Sequence, residues 1–384
     1  MTKENLSAGF ENRFGLSGKI NFYFSPGRVN LIGEHIDYNG GFVFPGALTL
    51  GIMAATRPRT DNMVRFSSMN HPGIFEIDLN HSIEFDPKRN WANYPAGVVS
   101  TLLKAEYNLK GADVLFSGNL PDGAGLSSSA AIEVLTGFMF LKESGEGEID
   151  RVWLAKLSQA AENQFIGVNC GIMDQFSVSL GKANQAILLN CQTLEYEYAP
   201  LALGDYSLVI LNTNKRRELA ESKYNERRAE CDQALEILRK EKPLADLCSS
   251  DLTSVEKQIS DPTLKARARH VVSENQRVKE AMLLLKKGDL TAFGALLKAS
   301  HKSLKEDYEV TGAELDAITD AANAHPACLG ARMTGAGFGG CGISIVKTTE
   351  IADFEASVAK QYFDKTGLKA DFYVSQLGDG VHQL

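Results

Sequence analysis

The chain has 384 residues, too long for one compact core and enough for about two domains. Apolar residues make up 44% and charged residues 23%, which excludes disorder over any large span. The net charge of −8, with no long basic run, disfavours a nucleic-acid or anionic-membrane partner. In chain order, β-branched and aromatic residues concentrate at 20–24, 43–50 and 64–67 and predict strands there. Val98, Leu102 and Leu103 share one side of a helix over 94–107. A strand at 112–117 leads to a glycine-serine loop at 121–129, a helix to about 141 and another over 150–165. Strands at 186–189 and 208–211 open the second half. Helices at 224–240, 265–287, 291–305 and 313–324 follow, with apolar residues three and four apart. A glycine-rich loop at 334–340 feeds a strand at 342–346, and a helix at 351–362 and a strand at 371–374 close the chain. The order is that of an α+β fold with two lobes. A composition shift near 175–205 divides it into an N-terminal domain, 1–180, and a C-terminal domain, 181–384.

The N-terminus, MTKENLSAGFENRFG, lacks the apolar core of a secretory signal, and no apolar run approaches the roughly 18 residues that span a bilayer. The cysteines, at 170, 191, 231, 248, 328 and 341, form no CxxC pair. A zinc site is therefore not expected, and such dispersed thiols fit a reducing cytoplasm.

Three segments carry chemistry. Residues 25–41 read SPGRVNLIGEHIDYNGG, with Arg28, Glu34, His35 and Asp37 inside ten positions. Two carboxylates and an imidazole can hold several hydroxyls of a polyol, because carboxylates accept and His can donate. Arg28 can neutralise developing phosphoryl charge. A charged surface turn is the plainer reading of the same residues. Residues 121–133 read PDGAGLSSSAAIE, between a strand and a helix. Free N–H groups, serine hydroxyls and the helix dipole make such a start a phosphate cradle. It is not a Walker A loop, and a serine-capped helix after a tight turn would look the same. Residues 334–340 read TGAGFGG and fit GxGxxG, yet a strand follows where a dinucleotide-binding motif needs a helix. Either a loop that approaches a ligand or dense glycine packing accounts for it.

Taken in this order, the three segments resemble the signature motifs of the GHMP sugar and isoprenoid kinases. GRVNLIGEHIDYNGG resembles the galactokinase signature within that family. The likeness extends to WANY at 91–94, CGIMDQF at 170–176, and Ser222-Lys-Tyr224 with Arg227-Arg228; the stretch from about 235 to 325 carries the least of it. Phe42 and Gly46 stand where many relatives carry His and Cys.

The resemblance implies a two-lobed GHMP-kinase-like fold, with mixed and antiparallel sheets packed by helices and the active site in the cleft between lobes. It implies ATP-dependent phosphorylation of the anomeric hydroxyl of galactose, giving α-galactose 1-phosphate. Glu34, His35, Asp37, Gly171, Asp174 and Tyr224 would bind the sugar. Gly123, Ala124, Gly125, Leu126, Ser127, Ser128 and Ser129 would wrap the ATP phosphates, with Trp91 and Ser68 at the nucleotide. Ser129 and Glu162 would hold Mg²⁺, and Asp174 and Arg28 would be catalytic. A protein partner is not implied. Two rival readings differ at single places. A non-catalytic galactose- and ATP-binding sensor loses a Ser-Ala pair from the serine loop, whereas LSSSAA at 126–131 is intact here. An N-acetylgalactosamine kinase tends to carry Cys where this chain has Asn39. A mevalonate-type kinase would leave the 28–37 cluster unexplained.

Overall fold

The protein, seen in a computed structural model, is described over residues 2–16, 18–121, 125–215 and 220–384. Helix α1 (Lys3–Phe14) precedes strands β1 (Asn21–Asn30), β2 (Phe42–Val43), β3 (Pro45–Pro58), β4 (Met63–Ser68) and β5 (Ile74–Asp78). Helix α2 (Asn93–Lys104), strand β6 (Ala112–Gly118) and helices α3 (Ser128–Glu143), α4 (Arg151–Ala161) and α5 (Met173–Leu180) complete the first half. The second half begins with β7 (Gln185–Asn190), β8 (Tyr196–Pro200) and β9 (Tyr206–Asn212). Helices α6 (Ala220–Arg239), α7 (Leu252–Gln258), α8 (Pro262–Lys287), α9 (Leu290–Glu306) and α10 (Gly312–Ala324) follow. Strands β10 (Cys328–Thr334) and β11 (Cys341–Lys347), helix α11 (Ile351–Thr366) and strands β12 (Asp371–Ser375) and β13 (His382–Gln383) end it.

Three sheets result among the described residues, in the orders β13-β1-β3-β6-β4-β5, β10-β11-β9-β12 and β2-β7-β8. Only the β4–β6 pair is parallel among the described strands. Its crossover runs through β5 and α2, as a parallel connection requires. The architecture is therefore α+β with mixed and antiparallel sheets. Two pairings cross the expected 180/181 boundary: β13 joins β1, with Phe24 opposite His382, and β2 joins β7, with Val43 opposite Leu189. One apolar cluster likewise spans both halves, from Val29, Phe44 and Phe176 to Ile210, Phe293 and Ile343. Each such side chain contributes about 1.5–3 kcal/mol on burial, so this shared core holds the two halves in register across the cleft.

Several elements depart from the sequence pattern in ways that build the site. The strand expected at 20–24 continues to Asn30, with a bulge between Pro26 and Arg28. Proline is tolerated in a strand at such a bulge. The 25–41 segment is thus not a surface turn at its start. The helix expected over 150–165 is capped by Asp150 and is α-helical to Ala161, then passes into a π-helical turn over Glu162–Ile166. Such turns re-aim side chains at functional positions. Helix α3 buries every residue from Ala130 to Leu141, so the serine loop before it is anchored on a core helix. The loop at 334–340 joins β10 to β11 as a hairpin, and no helix follows it. Helices α1, α5 and α7 and strands β5, β8, β10 and β13 were not expected; α1 buries only Leu6 and Phe10, too few for a helical period. No helix among the described residues is long and apolar enough to cross a membrane.

Candidate active site

The bulge in β1 sets Arg28 against the serine loop. A Cβ on Gly27 would meet the Leu126 carbonyl oxygen at 2.7 Å, so only glycine lets the strand approach this closely. The Arg28 N–H donates to that carbonyl at 3.1 Å, and Nη1 donates to the Gly125 carbonyl at 2.8 Å. The remaining face of the guanidinium meets Asp174 at the start of α5: Nε to Oδ1 and Nη2 to Oδ2, both 2.7 Å. This is the bidentate geometry in which arginine recognises carboxylate most strongly. Ser127 Oγ donates to Asp174 Oδ2 at 2.5 Å, from a backbone held at φ 62°. Burial is the largest influence on Arg28 and opposes its charge, yet Asp174, Glu34 and Asp37 together raise its pKa above the ordinary value.

Glu34, only 1% exposed, is clamped by the third glycine segment. Its Oε1 accepts from the Thr334 hydroxyl at 3.0 Å and the Gly335 N–H at 2.8 Å, and lies 3.2 Å from Nη2 of the fully buried Arg332. Its Oε2 accepts from the Asn30 amide at 3.1 Å. Nη1 of Arg332 donates to the Asn30 and Leu31 carbonyls, 2.9 Å each, and so ties β10 to the end of β1.

His35 has both ring nitrogens engaged. Nε2 lies 3.1 Å from the Ala336 carbonyl, which can only accept, so Nε2 carries the hydrogen. Nδ1 then accepts from the Tyr38 hydroxyl at 2.8 Å, which in turn accepts from Tyr308 at 2.8 Å. Burial pushes His35 down to about 3, with neighbouring cations adding to this, so the ring is neutral at physiological pH. Asp37 is pushed up to about 7, by burial first and by the Asp174 charge second.

Gly171 backs Asp37 directly: a Cβ there would stand 1.8 Å from Asp37 Oδ2. Gly171→Ala is expected to turn the Asp37 carboxylate away, raising the KM for a ligand held by Asp37 about tenfold or more, with the melting temperature little changed. Steady-state kinetics beside a thermal melt checks this; an unchanged KM would separate Gly171 from the site.

The cavity enclosed by these groups has a volume of about 250 Å³. It gathers Arg28, Glu34, His35, Asp37, Gly171, Asp174 and the half-buried Tyr224 of α6, together with Glu162, Gly335 and Ala336. A second cavity of about 160 Å³ gathers Ser68, Trp91, Ser128 and Ser129 with His71, Tyr94 and Phe116. Trp91 presents its edge or face to three rings: Phe75 and Phe116 at 5.9 Å and nearly perpendicular, and His71 at 6.3 Å and within 28° of parallel. Its buried Nε1 has no hydrogen-bond partner among the described residues. Of the phosphate-loop expectations, Gly123 and Ala124 lie outside the described residues. Gly125 and Leu126 turn their carbonyls to Arg28. Ser127 donates to Asp174 in the wall of the first cavity, while Ser128 and Ser129 line the second.

Glu162, 7% exposed, lies at the first turn of the π helix. Burial first, then the Asp174 charge, raises its pKa, against hydrogen bonds from Cys170, Ser129 and Gln175. Glu133 on α3 is fully buried beside it, and its Oε1 has no donor among the described residues. Sequence reasoning missed Arg332, Thr334, Glu133 and Gln175. The TGAGFGG segment flagged the neighbourhood of Thr334, but nothing local distinguishes a strand arginine or a helical glutamine from surface or core filler.

Family models for the galactokinase galactose-binding signature, the GHMP kinase N-terminal domain and the GHMP kinase C-terminal domain match residues 8–58, 93–182 and 281–365. The chain is 50% identical to galactokinase of Clostridium tetani, over 100% of this chain and 98% of that protein. It is 49% identical to galactokinase of Bacillus subtilis, over 100% and 99%. Its fold superposes on Lactococcus lactis galactokinase complexed with galactose with a TM-score of 0.96 at 44% identity, covering 99% of both chains. Mevalonate kinase of Methanococcus jannaschii shares the fold alone, with a TM-score of 0.68 at 19% identity.

Proposed function

The chain belongs to the galactokinase family of the GHMP kinases and phosphorylates galactose with ATP; from that premise we propose which of its residues carry the reaction. Galactose occupies the first cavity, where Asp37, Glu34 and Tyr224 meet its hydroxyls. His35, with both nitrogens engaged, chiefly shapes the wall between Tyr38 and Ala336. The adenine rests against Trp91 near Ser68, and the phosphates run along 123–129 toward the first cavity. The observation that carries this reading is the Arg28–Asp174 pair in the first cavity, bonded through Ser127 to the serine run that lines the second. There the anomeric oxygen attacks the γ-phosphorus in line. The O–P bond to the sugar forms, the bond to the β-phosphate oxygen breaks, and ADP leaves. Asp174 takes the hydroxyl proton, and Arg28 offsets the charge on the transferring group. The product is α-galactose 1-phosphate.

Mg²⁺ fits the donors present. Ser129 and Glu162 offer hard oxygens, and Glu162 stands in a buried acidic pocket with Glu133. No group of three or more His, Cys, Asp or Glu that could hold a metal alone occurs among the described residues. A cation that keeps waters and takes substrate phosphate oxygens suits so sparse a set. Held by Ser129 and Glu162, Mg²⁺ would offset negative charge on the ATP phosphates.

The pKa of Asp37 gives a pH test. Its folded value, about 7, lies above the unfolded carboxylate value of about 3.9. This group therefore stabilises the ligand-free fold fully below the unfolded value, and that contribution is lost as pH rises through about 7. A sugar hydroxyl donating to the carboxylate favours its charged form. Galactose binding at pH 6.5 is thus expected to release protons, so the titration heat will vary with the buffer's ionisation enthalpy. The variation disappears in Asp37→Asn and fades above about pH 8.5. Equal heats in all buffers would take Asp37 out of contact with the sugar.

The function is tested by ADP release with galactose, glucose, talose, N-acetylgalactosamine and mevalonate. The expected result is turnover highest with galactose. Binding of galactose and ATP with no ADP formed would overturn the enzyme in favour of a sensor, and turnover with N-acetylgalactosamine alone would overturn the substrate.

A further inference from the structure

Gln175 follows Asp174 on α5 and is fully buried. Its Nε2 donates to Glu162 Oε2 at 2.5 Å and to Glu133 Oε2 at 3.2 Å. The amide orientation is assigned from this network, in which the Nε2 donor meets both carboxyl groups. Glu133 lies four residues after Ser129 on α3, so the two share a helix face and Glu133 sits one turn beneath the serine. Cys170 Sγ approaches the same Glu162 Oε2 at 3.4 Å. Besides Gln175 and Cys170 on Oε2, the Glu162 carboxyl group is hydrogen-bonded to Ser129. One amide therefore joins three pieces of the site: the helix that carries Ser129, the π-helical turn that carries Glu162, and the helix that carries Asp174.

We propose that Gln175, held in place by Glu133, is a positioning residue that aims the Glu162 carboxylate at Ser129 and the metal-bound phosphates. The proposal rests on the reading of Glu162 as a metal ligand. Groups that orient a metal ligand cost about 10–100-fold in metal affinity when removed. Gln175 belongs in that class because its non-ionisable amide bridges the Glu162 and Glu133 carboxyl groups.

The test substitutes Gln175→Met, which keeps the volume and removes the donor. Three quantities are read: the Mg²⁺ concentration for half-maximal rate, the galactose KM, and binding of Mn²⁺ to the protein with a non-hydrolysable ATP analogue. The last is followed by the Mn²⁺ electron paramagnetic resonance signal without galactose. The expected result is an increase of about tenfold or more in the Mg²⁺ requirement, a matching loss of Mn²⁺ affinity, and a galactose KM within about twofold of the parent. A merely structural glutamine would instead lower the melting temperature and leave metal affinity unchanged, which overturns the proposal. Should Gln175→Met not fold, Gln175→Asn withdraws the amide by one methylene and reads the same three quantities. Glu162→Gln is run in parallel. If it raises the Mg²⁺ requirement while Gln175→Met does not, the positioning role is overturned and the metal ligand stands. If Glu162→Gln leaves the requirement unchanged, the ligand assignment and the positioning role both fall.

Discussion

Asp174→Asn is expected to lower kcat by about 10²–10⁴ while galactose and ATP affinities change far less. Asparagine keeps the shape and reach of the side chain but cannot take a proton. It also offers Arg28 one acceptor instead of two, where the parent pair is bidentate at 2.7 Å on both bonds. Because both Asp174 oxygens already accept from Arg28, and Oδ2 also from Ser127, proton acceptance competes with an existing pair. That competition favours proton transfer late in the step, when the O–P bond is already forming and the hydroxyl has become acidic. Asp174 is 29% exposed, so the pair is partly wet and its loss costs less stability than a fully buried ion pair would. Steady-state kinetics beside calorimetric titration of each ligand separates the two effects, and a thermal melt confirms the fold. A variant with kcat within about threefold of the parent would sink the base assignment.

Asp37→Ala is expected to lower kcat/KM for galactose by about 10²-fold or more, because a site built to bond a hydroxyl loses heavily when its polar partner is removed. Nucleotide binding should survive, since Asp37 lines the first cavity and Ser68, Trp91 and Ser129 line the second. The melting temperature should hold or rise. Burial, the first cause of the raised Asp37 pKa, disfavours the ionised carboxylate in the sugar-free fold, so its contribution to stability is lost above about pH 7. Function bought at the expense of local stability is common where a polar group waits for a ligand. Retention of both galactose KM and kcat would reduce the 34–37 segment to a structural turn.

Much of the site was legible in the chain because its chemistry is packed into short segments. Arg28, Glu34, His35 and Asp37 stand inside ten residues. The serine loop must be contiguous, since successive backbone N–H groups at one helix start are what a phosphate needs. The strand predicted after TGAGFGG argues against a dinucleotide site from the sequence itself. The α+β class followed from the order of β-rich and helical runs. What these segments meet was decided only by the tertiary structure. Arg28 and Asp174 are 146 positions apart, and Glu34 and Thr334 are 300 apart. They touch because one apolar core packs β1 against α5 and β11, and no local pattern records which buried carboxylate will face which buried cation. Arg332 in a strand and Gln175 in a helix read as ordinary residues, because their value lies wholly in partners far along the chain. The turn that carries Glu162 escaped for the opposite reason. The helical period of 150–165 is real, but hydrogen bonding shifts from α to π at Glu162, and side-chain spacing does not report that change.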